Sequence, residues 1–398
     1  MGLGLKKLVK KGMMGLGEMG FNAGGGAINW FPGHMAAATR AIRDRLKLAD
    51  FVIEVRDARI PLSSANQDLQ PQLRSKRSLI ALNKKDLANP NIMHKWTRYF
   101  ESSNQDCLPM NAHSKSSVSK LLELVEYKLK EAISREPTLL VMVVGVPNVG
   151  KSALINNIHR IASSRFPGEF FMQYTLRNDS VGVSFIVQGK MKRATVGPLP
   201  GVTQDIAGFK IAHQPSIYVL DTPGVLVPSI PDIETGLKLA LAGSIKDSVV
   251  GEDRIAQYLL AVLNTRGTPF HWKNSNNRRM EGIQYEAEEK VDYSLKNLRP
   301  SRRKLPTKSH VLYVEDLVTE VQRALYSTLS EFNGNMEDEI DLEVLIEQQF
   351  EALQKALKIP NKGSEARLMV SKKFLTLFRT GKLGPFILDD VPEASPLS

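Results

Sequence analysis

From about residue 40 the chain alternates helical patterns with short apolar runs, the layout of βαβ units and a mostly parallel sheet. The runs 50–56 (DFVIEVR), 78–83 (SLIALN), 106–110, 139–145 (LLVMVVG) and 216–221 (SIYVLD) read as strands. Several end in polar or glycine-containing loops, where open α/β sheets bind ligands. Between them, 117–133 places apolar residues at helical spacing, and 152–163 continues as a helix from a glycine-lysine turn. No clear strand pattern runs through 162–198. Beyond residue 230 the strand signal disappears and helical patterns take over at 232–242, 252–264, 313–331, 340–358 and 364–379. Three parts are expected: a basic segment 1–28, an α/β domain over 29–230, and a helical domain over 231–398 containing a linker-like stretch at 266–309.

Charge and cysteine content narrow the class. Of 398 residues 42% are hydrophobic, which excludes wholesale disorder, and 53 Lys and Arg against 42 Asp and Glu leave +11. That excess suits a polyanionic partner, nucleic acid or anionic lipid. Residues 266–309 hold 11 Lys and Arg against 5 acidic residues, a net +6 and more than half of the excess. The first 28 residues add Lys6, Lys7, Lys10 and Lys11 against Glu18. They read either as an organellar transit peptide or as a tail joined through Gly24, Gly25 and Gly26. Cys107, the single cysteine, excludes an internal disulfide and a Cys-rich zinc site, which favours a reducing compartment. No run approaches the length of a membrane span, so the expectation is a soluble or peripheral protein.

Residues 145–152 read Gly-Val-Pro-Asn-Val-Gly-Lys-Ser, a G-x-x-x-x-G-K-[ST] pattern between a strand and a helix. In such a loop Gly145, Pro147, Asn148, Val149 and Gly150 wrap a phosphate, Lys151 brings charge to the β and γ phosphates, and Ser152 offers a hydroxyl to Mg²⁺. Asn83-Lys84-Lys85-Asp86 follows the strand 78–82 and matches a guanine-reading N-K-x-D loop. Its Asp86 carboxylate accepts from guanine N1–H and the exocyclic amine, a donor pair adenine lacks. Alone, four residues fit a solvated turn better. Asp221-Thr222-Pro223-Gly224 ends another strand, where Asp221 reaches Mg²⁺ through water and the Gly224 N–H faces a γ-phosphate. Thr203 lies between the two and is either a switch threonine ligating Mg²⁺ or a turn residue.

In Ras-like GTPases the phosphate loop comes first, whereas here Asn83 precedes Gly145. A chain cut elsewhere still forms the same sheet when the termini are near one another. With its parts in this rotated order the sequence resembles the circularly permuted GTPases, and among them the RbgA/YlqF family of ribosome-assembly GTPases. Trp30-Phe31-Pro32-Gly33-His34-Met35, Asp57-Ala58-Arg59-Ile60-Pro61, Pro200-Gly201-Val202-Thr203 and Glu234-Thr235-Gly236-Leu237-Lys238-Leu239-Ala240 add to the resemblance.

The resemblance implies an α/β, circularly permuted P-loop GTPase fold, its mostly parallel sheet covered by helices on both faces, followed by an all-helical C-terminal domain contacting ribosomal RNA. It also implies GTP hydrolysis with Mg²⁺ at Ser152, Thr203 and Asp221. Asn111 and Ala112 take the place of the loop behind the guanine base. His34 is implied as a catalytic group beside Lys151 and Thr203. Asn148 is implied as a K⁺ ligand, with a loop-capping role the equal alternative. The implied partners are GTP and GDP, the large ribosomal subunit and its rRNA. With the basic N-terminus the resemblance implies a mitochondrial setting, in the matrix or peripheral on the inner membrane, with bacterial and plastid settings as the alternatives.

Departures from the family pattern are plain. Lys151 and Thr203 stand 52 residues apart, the segment 165–190 matches nothing familiar, and 266–360 diverges. The position after D-x-x-G, where Ras-type sites have a water-orienting glutamine, is Val225, so slow intrinsic hydrolysis is expected. The competing reading is a constitutive RNA-binding or membrane-associated scaffold whose nucleotide site is structural. Retention of every phosphate, magnesium and guanine element argues against it.

Overall fold

The computed structural model describes residues 33–133, 138–165, 208–213, 216–222, 224–225, 230, 232–272, 308–360 and 363–392. The expectations on Thr203, the insertion 165–190, the segment 1–28 and most of 266–309 lie outside these residues.

Six strands form one sheet: β1 (Phe51–Asp57), β2 (Ser78–Asn83), β3 (Asp106–Pro109), β4 (Thr138–Val144), β5 (Gly208–His213) and β6 (Ser216–Asp221). Their order is β3-β2-β1-β4-β6-β5, all parallel except β5, which pairs antiparallel with β6 through an irregular register at Lys210/Ala212. The five strands read from the sequence are present. The sequence pattern misses β5 because its apolar-polar alternation, Phe209-Lys210-Ile211, lasts barely one period.

All seven residues of β1 are buried, as a central strand covered on both faces requires. On one face Val52, Met142, Val144 and Leu220 pack with Ile42 and Leu46 of α1 (Gly33–Leu46) and with Leu73 of α2 (Gln70–Arg74). Farther along, Ile80 and Leu82 meet Trp96 and Phe100 of α3 (Pro90–Ser102). That helix begins where Asn89 caps the Asn91 N–H and Pro90 occupies the first turn, whose N–H would go unpaired in any case. Strand residues of opposite parity, Ile53, Val55, Val141, Val143 and Val219, are equally buried. Helices α4 (Lys115–Ile133) and α5 (Lys151–Arg165) fall between β3 and β4 and after β4. After the sheet come α6 (Ile233–Leu241), α7 (Asp247–Val250), α8 (Glu252–Thr265), α9 (Lys308–Glu331), α10 (Glu339–Ala356) and α11 (Gly363–Arg379).

The described residues fall into two compact units, Ala256–Leu377 in one and those up to Ile255 together with those from Phe378 in the other. The loss of strand pattern near 230 thus marks a change of secondary structure, while α6 and α7 group with the sheet. Within the helical unit Asn264 and Gln349, both fully buried, exchange reciprocal amide bonds of 2.8 Å. Such a polar pair satisfies itself only in one helix register. No helix among the described residues is long and apolar enough to cross a membrane. Burial pushes the Cys107 thiol up to about 12, so it stays protonated at neutral pH.

Candidate nucleotide site

The chain leaves β1 outward through β2 and β3, returns to β4 beside β1, and then runs outward the other way to β6. This reversal puts the ligand crevice of the sheet at the carboxyl ends of β1 and β4. The loop 145–152 leaves β4 at that point. Gly145 has φ 151°, and a Cβ there would stand 2.3 Å from the carbonyl oxygen of Val55 on β1. Only glycine lets the loop pass so close to the neighbouring strand. Lys151 opens α5, and its buried amine donates to the carbonyls of Gly145 at 3.0 Å and Val146 at 2.8 Å. Ser152 sits in the same first helical turn.

The N-K-x-D segment reaches this loop directly. Asn83 Nδ2 donates to the Val149 carbonyl at 2.8 Å, while its Oδ1 accepts the Ala112 N–H at 2.8 Å. Lys84, in the left-handed region at φ 63°, donates to the Asn148 carbonyl at 2.7 Å and to Asp57 Oδ2 at 2.8 Å. Asp86 lies exposed on the single turn Lys85–Leu87, which the Lys85 N–H ties to the Met110 carbonyl. Asn111 Oδ1 accepts the His113 N–H, and Asn157 of α5 donates to the Ala112 carbonyl. A cleft of about 560 Å³ beside Ala112 and His113 is also lined by Ala153, Asn156 and Asn157 of α5. A larger cleft, about 960 Å³, touches Phe51, Ser78 and Asp106 at the amino ends of β1, β2 and β3, the wrong end of the sheet for this site.

Asp57 supplies what the motif reading leaves out. It ends β1 fully buried and takes two bonds from the Arg59 guanidinium, 3.0 and 2.8 Å, besides Lys84. Burial resists its ionisation, but the Arg59 and Lys84 charges override it and hold the carboxyl well below the usual carboxylate range. Burial likewise pushes the Lys84 ammonium below the ordinary lysine range, with Asp57 offsetting part of the effect.

On the other side of the loop, Asp221 ends β6 in register with Val143 of β4, and Thr222 Oγ1 donates to the Val143 carbonyl at 2.7 Å. The Asp221 side chain lies outside the described residues. Gly224 lies so near the phosphate loop that a Cβ would stand 2.7 Å from Pro147 Cα and 2.9 Å from Lys151 Nζ. Val225 is buried in the same cluster as Ile42 and Leu46, and its carbonyl accepts from Asn66 Nδ2 at 2.9 Å. His34 stands in the first turn of α1, its side chain outside the described residues.

The turn after α6, which the sequence reading passes over, braces the loop from behind. Asn148 Nδ2 donates to the Gly243 carbonyl at 2.7 Å and Ser244 Oγ to the Pro147 carbonyl at 2.8 Å. Two residues of the basic C-terminal helix are committed internally rather than offered outward. Arg367 pairs with Glu347 and lies over the Phe350 ring, and Arg379 pairs with Asp247. Lys372, Lys373 and Lys382 remain exposed.

A phosphate loop on a central strand, with an N-K-x-D segment that precedes it in the chain and touches it in space, defines a circularly permuted P-loop GTPase. No family model matches the chain. It is 71% identical over 389 residues to "Short integuments 2, mitochondrial" of Arabidopsis thaliana, covering 98% of this chain and 95% of that protein. It is 38% identical to "Mitochondrial ribosome-associated GTPase 1" of Mus musculus, covering 60% of this chain and 67% of the relative. It is 33% identical to "Ribosome biogenesis GTPase A" of Bacillus pumilus, covering 59% and 75%. The chain belongs to the RbgA/YlqF family of circularly permuted GTPases, and the relatives named mitochondrial support a mitochondrial location.

Proposed function

We propose that the chain is a GTP-hydrolysing factor in assembly of the large mitochondrial ribosomal subunit, acting in the matrix. It binds the particle and its rRNA in the GTP state and leaves after hydrolysis. The observation that carries the nucleotide reading is the pair of contacts from Asn83 and Lys84 to the carbonyls of Val149 and Asn148, which join base-reading and phosphate-holding elements in one site. The ribosomal reading is supported by the names of the mouse and Bacillus pumilus relatives.

In this site Asp86 reads guanine, Asn111 and Ala112 back the base, and Gly145 to Ser152 hold the phosphates. The Lys151 amine exchanges the loop carbonyls for β and γ oxygens. Mg²⁺ fits the hard oxygen donors of Ser152, Thr203 and Asp221, and when bound it supplies positive charge beside the β and γ phosphates. The Gly224 N–H marks the γ-phosphate. Val225 is turned into the core, so the attacking water is oriented by another group, for which His34 is the candidate on the helix packed against Val225. Asn148 Oδ1 is the proposed K⁺ ligand, its amide nitrogen being held by Gly243.

The experiment is purification of tagged protein from mitochondria with a non-hydrolysable GTP analogue or with GDP. Large-subunit particles are expected with the analogue and not with GDP. Equal recovery in both would remove the nucleotide gating, and no particles in either would remove the ribosomal role.

A further inference from the structure

The last described segment of the chain is built into the nucleotide unit. After α11 the Phe386 N–H donates to the Leu87 carbonyl at 3.1 Å and the Leu388 N–H to the Arg59 carbonyl at 2.7 Å. Ile387 joins Ala58, Ile80, Leu82 and Trp96 in the core. The carboxylate of Asp389, only 6% exposed, accepts from the N–H groups of Leu62 at 2.8 Å and Ser63 at 2.9 Å and from the Ser63 hydroxyl at 2.6 Å. Its remaining partner is Lys238 of α6, 3.4 Å away and also paired with Glu234. Burial would lower the Lys238 pKa, but the Asp389 and Glu234 charges raise it above the ordinary lysine value, so its ammonium stays charged at neutral pH.

Arg379 grips the other end of the same helix. It donates to the Ala240 carbonyl at 2.8 Å and the Leu241 carbonyl at 3.0 Å, and it holds Asp247 through both guanidinium nitrogens. A cation on the last carbonyls of a helix satisfies acceptors that have no partner inside it and suits the negative end of the helix dipole. Immediately beyond, Gly243 and Ser244 hold Asn148 and Pro147 of the phosphate loop. The tail therefore fixes α6 at Lys238 and at its carboxyl end, and α6 fixes the phosphate loop.

We propose that Asp389 and Arg379 are positioning residues of the nucleotide site, acting through α6 and the turn Ala242–Ser244 to hold the phosphate loop closed on bound nucleotide. This rests on the reading of 145–152 as the phosphate loop. No residue of the tail needs to touch nucleotide for its loss to speed release. Removing one member of a buried charged pair leaves the other uncompensated, which loosens whatever the pair was holding.

Release of a fluorescently labelled GDP tests it in the full chain, in wild type, Asp389→Asn and Lys238→Met. Both variants are expected to release GDP about tenfold faster, and the double variant no faster than the faster single one, since each substitution breaks the Lys238–Asp389 contact the two share. Nucleotide-free melting temperatures measured alongside identify a purely structural role, which would lower them while leaving release unchanged. Should Asp389→Asn lose its cooperative unfolding transition, Lys238→Met decides alone, because it leaves the bonds from Asp389 to Leu62 and Ser63 in place. Normal uptake with unchanged release in the folded variants overturns this inference only. A wild-type protein that takes up no labelled GDP overturns the phosphate-loop reading and this inference with it.

Discussion

The side-chain nitrogen of Asn83 stands 2.8 Å from the carbonyl oxygen of Val149, although 66 residues separate them and the order of the two elements is inverted relative to Ras-like chains. Both ends of the amide are used, the oxygen by the Ala112 N–H. Asn83→Ala leaves a buried carbonyl and a buried N–H unsatisfied, so a loss of about 1–3 kcal/mol is expected. Urea unfolding measures it, and GDP titration is expected to show weaker binding. Unchanged GDP affinity in a destabilised variant would mean that the contact serves folding alone.

Asp57 makes a prediction with a definite pH sense. Its folded-state pKa lies below the unfolded value, so its contribution to stability is complete above the ordinary carboxylate pKa of about 4 and declines as pH falls below it. Asp57→Asn strands the buried Arg59 guanidinium and loosens Lys84, an expected cost of about 3–5 kcal/mol at neutral pH. Denaturant unfolding of wild type and variant between neutral pH and about pH 3 checks this, since the gap between them should narrow only below about pH 4. A gap that closes between pH 7 and 5 would assign the stabilisation to a different group.

The strand-loop-helix around 145–152 was legible because its parts are contiguous: strand, glycines, lysine and helix follow one another within a dozen residues. The turns carrying Asp86 and Gly224, each directly after its strand, were legible for the same reason. What escaped the sequence is what acts across distance. Asp57 stood in a quoted motif without a role, because only the folded sheet brings the ends of β1 and β2 together for Lys84. Gly243 and Ser244 carry no signal of their own, being an ordinary helix-ending turn that happens to face Pro147 and Asn148. Asp389 lies 327 residues from Leu62, and no spacing in the sequence connects the two. Arg379 counts as one more surface cation in the sequence, whereas its carbonyl and Asp247 partners consume it.

Burial of Val225 argues against restoring a Ras-like glutamine there. The side chain is 1% exposed among Ile42, Leu46, Met142 and Leu220, while its carbonyl accepts from Asn66 Nδ2. Val225→Gln would put an amide into that apolar cluster at a cost of about 1–3 kcal/mol. No gain in intrinsic GTP turnover is expected, together with a lower melting temperature. A faster intrinsic rate would show that the segment turns outward during catalysis and would revive a water-orienting role for this position.

Gly224 offers the sharpest test of the switch. Its backbone lies against Pro147 and Lys151 closely enough that a methyl group would overlap Pro147 Cα, a backbone atom unable to rotate away, and crowd the Lys151 amine. Alanine at 224 must therefore push the D-T-P-G segment off the phosphate loop or displace the loop itself. These two responses differ in which nucleotide suffers. If Gly224 serves the γ-phosphate, withdrawal of its N–H costs the GTP analogue a charge-assisted hydrogen bond that GDP never makes, about 1.5–3 kcal/mol, or roughly ten- to a hundredfold in affinity. A distorted loop would weaken both nucleotides alike. Titration calorimetry of Gly224→Ala with GDP and with a non-hydrolysable GTP analogue is expected to show near-normal GDP binding and a selective loss for the analogue. Equal losses would place the contact in the loop's packing and take the γ-phosphate role away from Gly224.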